Sequence, residues 1–125
     1  MPEALKRLLE SSHVLKCGVG INGDMHKLAL DFGVQLDGVC DINAEANRRV
    51  QPHGVQLIER TSFTLAEQCE RLLGRRLPKP AGLRCGNWEQ VPLSAEQQHY
   101  AAVDAYASYV CACAVLQRPL LGAPV

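Results

Sequence analysis

PLSAEQQHYAAVDAYASYVCACAVLQRP, residues 92–119, joins a helix start signal, a long apolar face and one acidic side chain at the margin of that face. Ser94 followed three residues later by Gln97 is a capping box, in which each side chain satisfies an amide that the first turn of a helix leaves without a partner. A helix therefore starts at Ser94. Tyr100, Val103, Ala107, Val110 and Ala114 then recur at intervals of three and four, with neither Gly nor Pro before Pro119. This spacing predicts a helix about 36 Å long with that stripe against a core.

Tyr100 and Asp104 are four residues apart, so their side chains lie one above the other on one helical face, beside the small residues Ala101, Ala102, Ala105 and Ala107. Two readings fit that placement. Tyr100 is a core aromatic with its hydroxyl at the rim and Asp104 a solvated carboxylate, or Asp104 binds a metal ion beside a tyrosine that positions a water.

Tyr100-Ala-Ala-Val-Asp104, preceded by Trp88 and Pro92-Leu-Ser and followed by Ala-Tyr-Ala-Ser, resembles the third exonuclease motif of the tyrosine-bearing DEDD 3'-5' exonucleases. It is similar to the exonuclease domain of the Werner-syndrome helicase and, more loosely, to ribonuclease D.

The rest of the chain bounds the reading. Its 125 residues make one domain at most. Thirteen basic and thirteen acidic residues cancel, so any nucleic-acid site has to come from a local cluster or from bound cations. No run of apolar residues is long enough to span a membrane, and no signal peptide opens the chain, which predicts an intracellular protein of nucleus or cytoplasm. Cys17, Cys40, Cys69, Cys85, Cys111 and Cys113 form no C-x-x-C and no finger spacing with histidine, and are read as small buried hydrophobes of a reducing compartment.

Pro2 to Glu10 reads as a short helix with Leu5, Leu8 and Leu9 on one side. His13 to Ile21 reads as a strand buried on both faces, and Asn22-Gly-Asp24 as a turn into a helix over Met25 to Phe32 closed by Gly33. Asp24 is by itself an N-cap. The stretch Lys16-Cys-Gly-Val-Gly-Ile-Asn-Gly-Asp24-Met-His-Lys27-Leu28 also resembles the second motif of the same exonucleases. Gly38 to Ile42 is a second strand, with Asp41 as the cap of a helix from Ala44 to Val50, followed by a loop over 51–62. Thr64 and Glu67 form another capping box, for a helix that ends at Gly74.

Arg75, Arg76, Lys79 and Arg84 then concentrate in a Pro- and Gly-rich loop. A solvated loop and contact with a nucleic-acid backbone both fit them, since phosphate needs cations and no base-reading group. Trp88 packs this loop on the core or offers a stacking platform.

The resemblance implies an α/β, ribonuclease H-like 3'-5' exonuclease fold acting on DNA or RNA 3' ends. In that family four carboxylates hold two Mg²⁺ or Mn²⁺ ions for an in-line phosphodiester displacement. Asp24 and Asp104 match two of the carboxylates, and Tyr100 the tyrosine beside the attacking water. The other two normally come as Asp-x-Glu on the first strand, and this sequence contains no Asp-x-Glu. Residues 2 to about 117 match the second half of the domain, so the resemblance predicts a fold without its first three strands and with a short residual parallel sheet. One sheet edge is then open, to be covered by a homodimer or by a second chain. The isolated chain is expected to be inactive or weak, an exonuclease with part of its metal site or a scaffold that binds nucleic acid or protein.

Overall fold

The computed structural model describes residues 1–50 and 62–122, without the side chains of residues 49 and 50. The loop expected over 51–62 lies outside them except for Ser62. The elements run α1 (Glu3–Glu10), β1 (Lys16–Gly18), α2 (Ile21–Phe32), β2 (Val39–Asp41), α3 (Ile42–Val50), α4 (Leu65–Leu73) and α5 (Ala95–Leu116).

Both capping boxes form as their spacing predicts. Ser94 Oγ accepts the Gln97 amide at 3.1 Å and Gln97 Oε1 accepts the Ser94 amide at 2.9 Å. Thr64 and Glu67 make the same exchange at the start of α4, and Gly74 ends that helix at φ 62°.

β1 and β2 are parallel, pairing Lys16 with Val39, Cys17 with Cys40 and Gly18 with Asp41, and α2 makes the crossover between them. The strand is shorter than the sequence pattern predicts. Gly20 turns left-handed at φ 69° and becomes the N-cap of α2, so Ile21 is helical and buried, and Val14 and Leu15 stay exposed rather than covered on both faces. Asn22, Gly23 and Asp24 thus occupy the first turn of the helix, and Asp24 is not its cap.

The capping carboxylate belongs to Asp41. Its Oδ2 accepts the amides of Gly20 at 3.0 Å and Ile21 at 3.2 Å, and its Oδ1 those of Asn43 at 2.9 Å and Ala44 at 3.2 Å. One side chain therefore serves the starts of α2 and α3, of which the sequence pattern indicated only the second.

The core gathers Ile42, Ala46, Cys69, Ala107, Cys111, Ala112 and Val115 from α3, α4 and α5, flanked by Cys17, Val19, Leu65, Leu72, Leu73 and Leu77. Alanine and cysteine at the contacts let the helices approach closely, down to 3.7 Å between the Cys69 and Cys111 sulfurs. The predicted stripe of α5 is corrected at its far end, where Ala114 is exposed and Cys111 and Val115 are buried. The buried Ala107, Cys111 and Val115 advance in steps of four, so the contact line runs obliquely along the helix and leaves the expected stripe at Ala114. Cys40, Cys69 and Cys111 are buried as expected, and Cys85 is exposed.

Lys16 donates to Gly38 O at 2.8 Å, which places its backbone groups toward β2 and turns those of Cys17 toward the other edge. Among the described residues no strand pairs with that edge. α1 buries no residue, and Leu5 and Leu8 are exposed. No helix of the described residues is long and apolar enough to cross a membrane.

Gly38 sits where α1 meets the sheet, at φ 64°, and a Cβ there would lie 2.8 Å from Val14 O and 3.1 Å from Ser12 O. Gly38→Ala is expected to cost about 2 kcal/mol, from the left-handed backbone and the displaced carbonyls, read as a lower urea midpoint with an unchanged m-value. An unshifted midpoint would show that this junction gives way freely.

Candidate active site

Helix periodicity puts Tyr100 and Asp104 on one face of α5, and the fold sets that face against the start of α2. A cavity of about 830 Å³ lies between β1, the first turns of α2 and α4, the segment after α4, and α5. Asp24, Tyr100 and Asp104 all line it, with Lys79 and Arg84 on its wall. Asp24 is exposed and Asp104 half-buried. Among the described residues neither carboxylate has a hydrogen bond or ion pair, and the Lys79 and Arg84 side chains have none either, so all four charges are open to a ligand.

The remaining basic residues do not reach the cavity. Arg75 follows the end of α4, and Arg76 pairs with Glu70 at 3.8 Å on the surface. Trp88 is half-buried outside the lining. Its ring lies 5.9 Å from that of Tyr100 at 53°, and its indole N–H donates to Leu83 O at 3.2 Å and Arg84 O at 3.3 Å. This geometry favours an anchor of the loop over a stacking platform.

Cys17 also lines the cavity, and its Sγ donates to Ser108 O at 3.7 Å. Burial, and then the neighbouring Cys113, push this thiol up, so it stays neutral and adds neither charge nor a ready nucleophile.

The donor set suits hard cations in kind, because carboxylate oxygen is what Mg²⁺ and Mn²⁺ prefer. It does not suit two ions in number. Among the described residues no group of three or more His, Cys, Asp or Glu side chains converges on a possible metal site. Asp24 and Asp104 are the two carboxylates of the cavity lining.

What sequence spacing did not disclose is that Leu65 and Ala66 at the start of α4, and Ser108 one turn after Asp104 on α5, complete the lining. A second omission is the reach of Gln97, whose Nε2 donates to Asn87 O at 2.9 Å and whose Oε1 accepts from Gln90 Nε2. The capping box revealed its helix bonds and not these.

The family described as "3'-5' exonuclease" matches residues 1–112. A 3'-5' exonuclease of Arabidopsis thaliana is 40% identical over 109 residues, which are 87% of this chain and 35% of that protein. The bifunctional 3'-5' exonuclease/ATP-dependent helicase WRN of Mus musculus is 37% identical over 109 residues, 87% of this chain and 7% of that protein. The chain therefore spans about a third or less of these relatives' length. NrnC of Brucella melitensis, solved bound to pGG, gives a TM-score of 0.69 at 21% identity over 94% of this chain and 52% of that one. That likeness shows a shared fold.

Proposed function

This chain belongs to the 3'-5' exonuclease family, and on that premise we propose that it carries one side of a nucleic-acid phosphodiesterase site acting at DNA or RNA 3' ends. The observation that carries this reading is the meeting of Asp24, Asp104 and Tyr100, from two different helices, in one cavity with both carboxylates unpartnered among the described residues.

Asp24 and Asp104 are the metal-holding carboxylates, for Mg²⁺ or Mn²⁺. The Tyr100 hydroxyl, one helical turn from Asp104, orients a water by a hydrogen bond, a role set by position. Lys79 and Arg84 offset the charge of the phosphate backbone that enters the cavity, and Arg75 and Arg76 add attraction at longer range. Two carboxylates neutralise and orient too little to fix two ions. The isolated chain therefore binds nucleic acid and cuts it weakly or not at all, and a second chain or second copy covers the edge of β1 that is open among the described residues. A scaffold that binds without cutting is the second reading, favoured by the same shortage of acidic ligands.

The test is a paired assay with a labelled 3'-recessed duplex and a single strand, in Mg²⁺ and in Mn²⁺, following binding and stepwise shortening. Binding is expected with little shortening, and Asp104→Asn is expected to lower any residual shortening about 100-fold. Fast metal-dependent shortening by the isolated chain would overturn the shortage argument. Shortening unaffected by Asp104→Asn would remove Asp104 from the chemistry, and absence of binding would remove nucleic acid from the reading.

A further inference from the structure

Arg84 reaches the cavity from an irregular segment, while Tyr100 reaches it from the regular helix α5. Such a segment has fewer regular hydrogen bonds than a helix and depends more on how it is fastened. Two side chains tie it to α5 here. The Trp88 indole N–H is shared between the carbonyls of Leu83 and Arg84, and its ring rests against Tyr100. Gln97, only 4% exposed and one turn before Tyr100, donates from Nε2 to Asn87 O and accepts from Gln90.

We propose that Gln97 and Trp88 are positioning residues that set Arg84 and Tyr100 in a common frame, so that contact with the backbone phosphate and placement of the tyrosine hydroxyl are fixed together. The inference rests on the nucleic-acid reading above and deepens it.

The residue type at 97 separates this role from helix capping. A capping box accepts Glu as well as Gln at its third position, because only an acceptor is needed there. Glu cannot donate to the Asn87 carbonyl, and its carboxylate would face that oxygen. Gln97→Glu therefore keeps the cap and releases the loop. Trp88→Phe keeps an aromatic ring against Tyr100 and removes the N–H that holds the Arg84 carbonyl.

Trp88 is the only tryptophan in the chain, so its fluorescence reports the loop directly. The experiment compares the full chain with Gln97→Glu, Trp88→Phe and Arg84→Ala. It reads helical circular dichroism, Trp88 emission where present, and anisotropy of a fluorescein-labelled single-stranded oligonucleotide across a salt series. Gln97→Glu is expected to retain the helical signal, to shift Trp88 emission to the red, and to weaken binding roughly three- to tenfold, as Arg84→Ala does. The salt slope should fall by about 0.7, one phosphate contact on a single strand. Trp88→Phe should weaken binding by a similar factor, and it decides the matter if Gln97→Glu loses its helical signal.

Unchanged emission in a folded Gln97→Glu chain, or unchanged affinity in either variant while Arg84→Ala binds weakly, would overturn the assignment. If the wild-type chain binds no oligonucleotide, the nucleic-acid reading fails and the positioning role with it. That failure is distinct, since it appears before any substitution is made.

Discussion

Above pH 9 the fold is expected to lose stability, on the order of a few kcal/mol by pH 12, through the thiol of Cys111. Cys111 is 0% exposed and its sulfur lies 3.7 Å from that of Cys69, between α4 and α5. Burial, and next the hydrogen bond with Cys69, push the thiol up from its ordinary 9.0 to about 12. The sign follows from which state holds the proton. Below pH 9 the thiol is protonated whether the chain is folded or not, and pH has no leverage. Above pH 9 the unfolded chain releases the proton while the fold retains it, so stability falls as pH rises until the folded thiol itself ionises. Cys17 and Cys40, also pushed up mainly by burial, act in the same direction. Urea midpoints of the wild type and Cys111→Ala, taken at pH 8, 9.5 and 11, isolate the effect. The variant starts lower because of the lost sulfur and then declines more gently, and parallel declines would show that Cys111 does not carry it.

How far the sequence discloses this fold depends on whether the decisive interaction is local. Ser94 with Gln97 and Thr64 with Glu67 act across three residues, and both boxes form as their spacing predicts. Gly33 and Gly74 likewise end their helices in the left-handed conformation that glycine tolerates best. The start of α2 is different. A left-handed glycine is a familiar stop signal, and here Gly20 stands at a start because a carboxylate twenty-one residues later supplies the capping acceptor. No window around Gly20 contains Asp41, so sequence pattern alone extends the strand to Ile21 and starts the helix late. The buried face of α5 is lost at Ala114 for a different reason: steps of three and of four both stay on one helical face, and packing against α3 and α4 selects Ala107, Cys111 and Val115.

The site divides along the same line. Tyr100 and Asp104 share a face by periodicity alone, whereas nothing in their spacing brings Asp24 to them. Its place in the cavity required the resemblance of the second motif, and then the packing of α5 against β1. Among the cations, Lys79 and Arg84 reach the cavity while Arg75 and Arg76 do not, since Gly74 ends α4 and sends the next residues along the surface before the segment returns. Charge density in a sequence marks the loop, and backbone direction chooses which charges serve.

Asp41→Ala is expected to destabilise the chain by about 3 kcal/mol, because the side chain caps two helices at once. Loss of a single N-cap costs about 1 kcal/mol, and here four amides lose a charged acceptor together. The partial dipoles of two helix starts meet at this carboxylate, so its charge also counts. Asp41→Asn separates the contributions. An amide keeps one oxygen and replaces the other by an N–H₂ group, which can satisfy the start of α2 or of α3 and opposes the amides of the other. The loss for Asn should therefore fall between wild type and Ala, with faster amide exchange confined to one helix start, whereas Ala should speed exchange at both. Thermal unfolding and residue-resolved hydrogen exchange measure the two effects. The consequence for the site comes through α2. Asp24 lies in its first turn, so a frayed start moves one carboxylate of the pair while Asp104, on α5, stays in place. A variant that melts with the wild type, or that frays α3 alone, would show that Gly20 and the packing of Ile21 hold the start of α2 without Asp41.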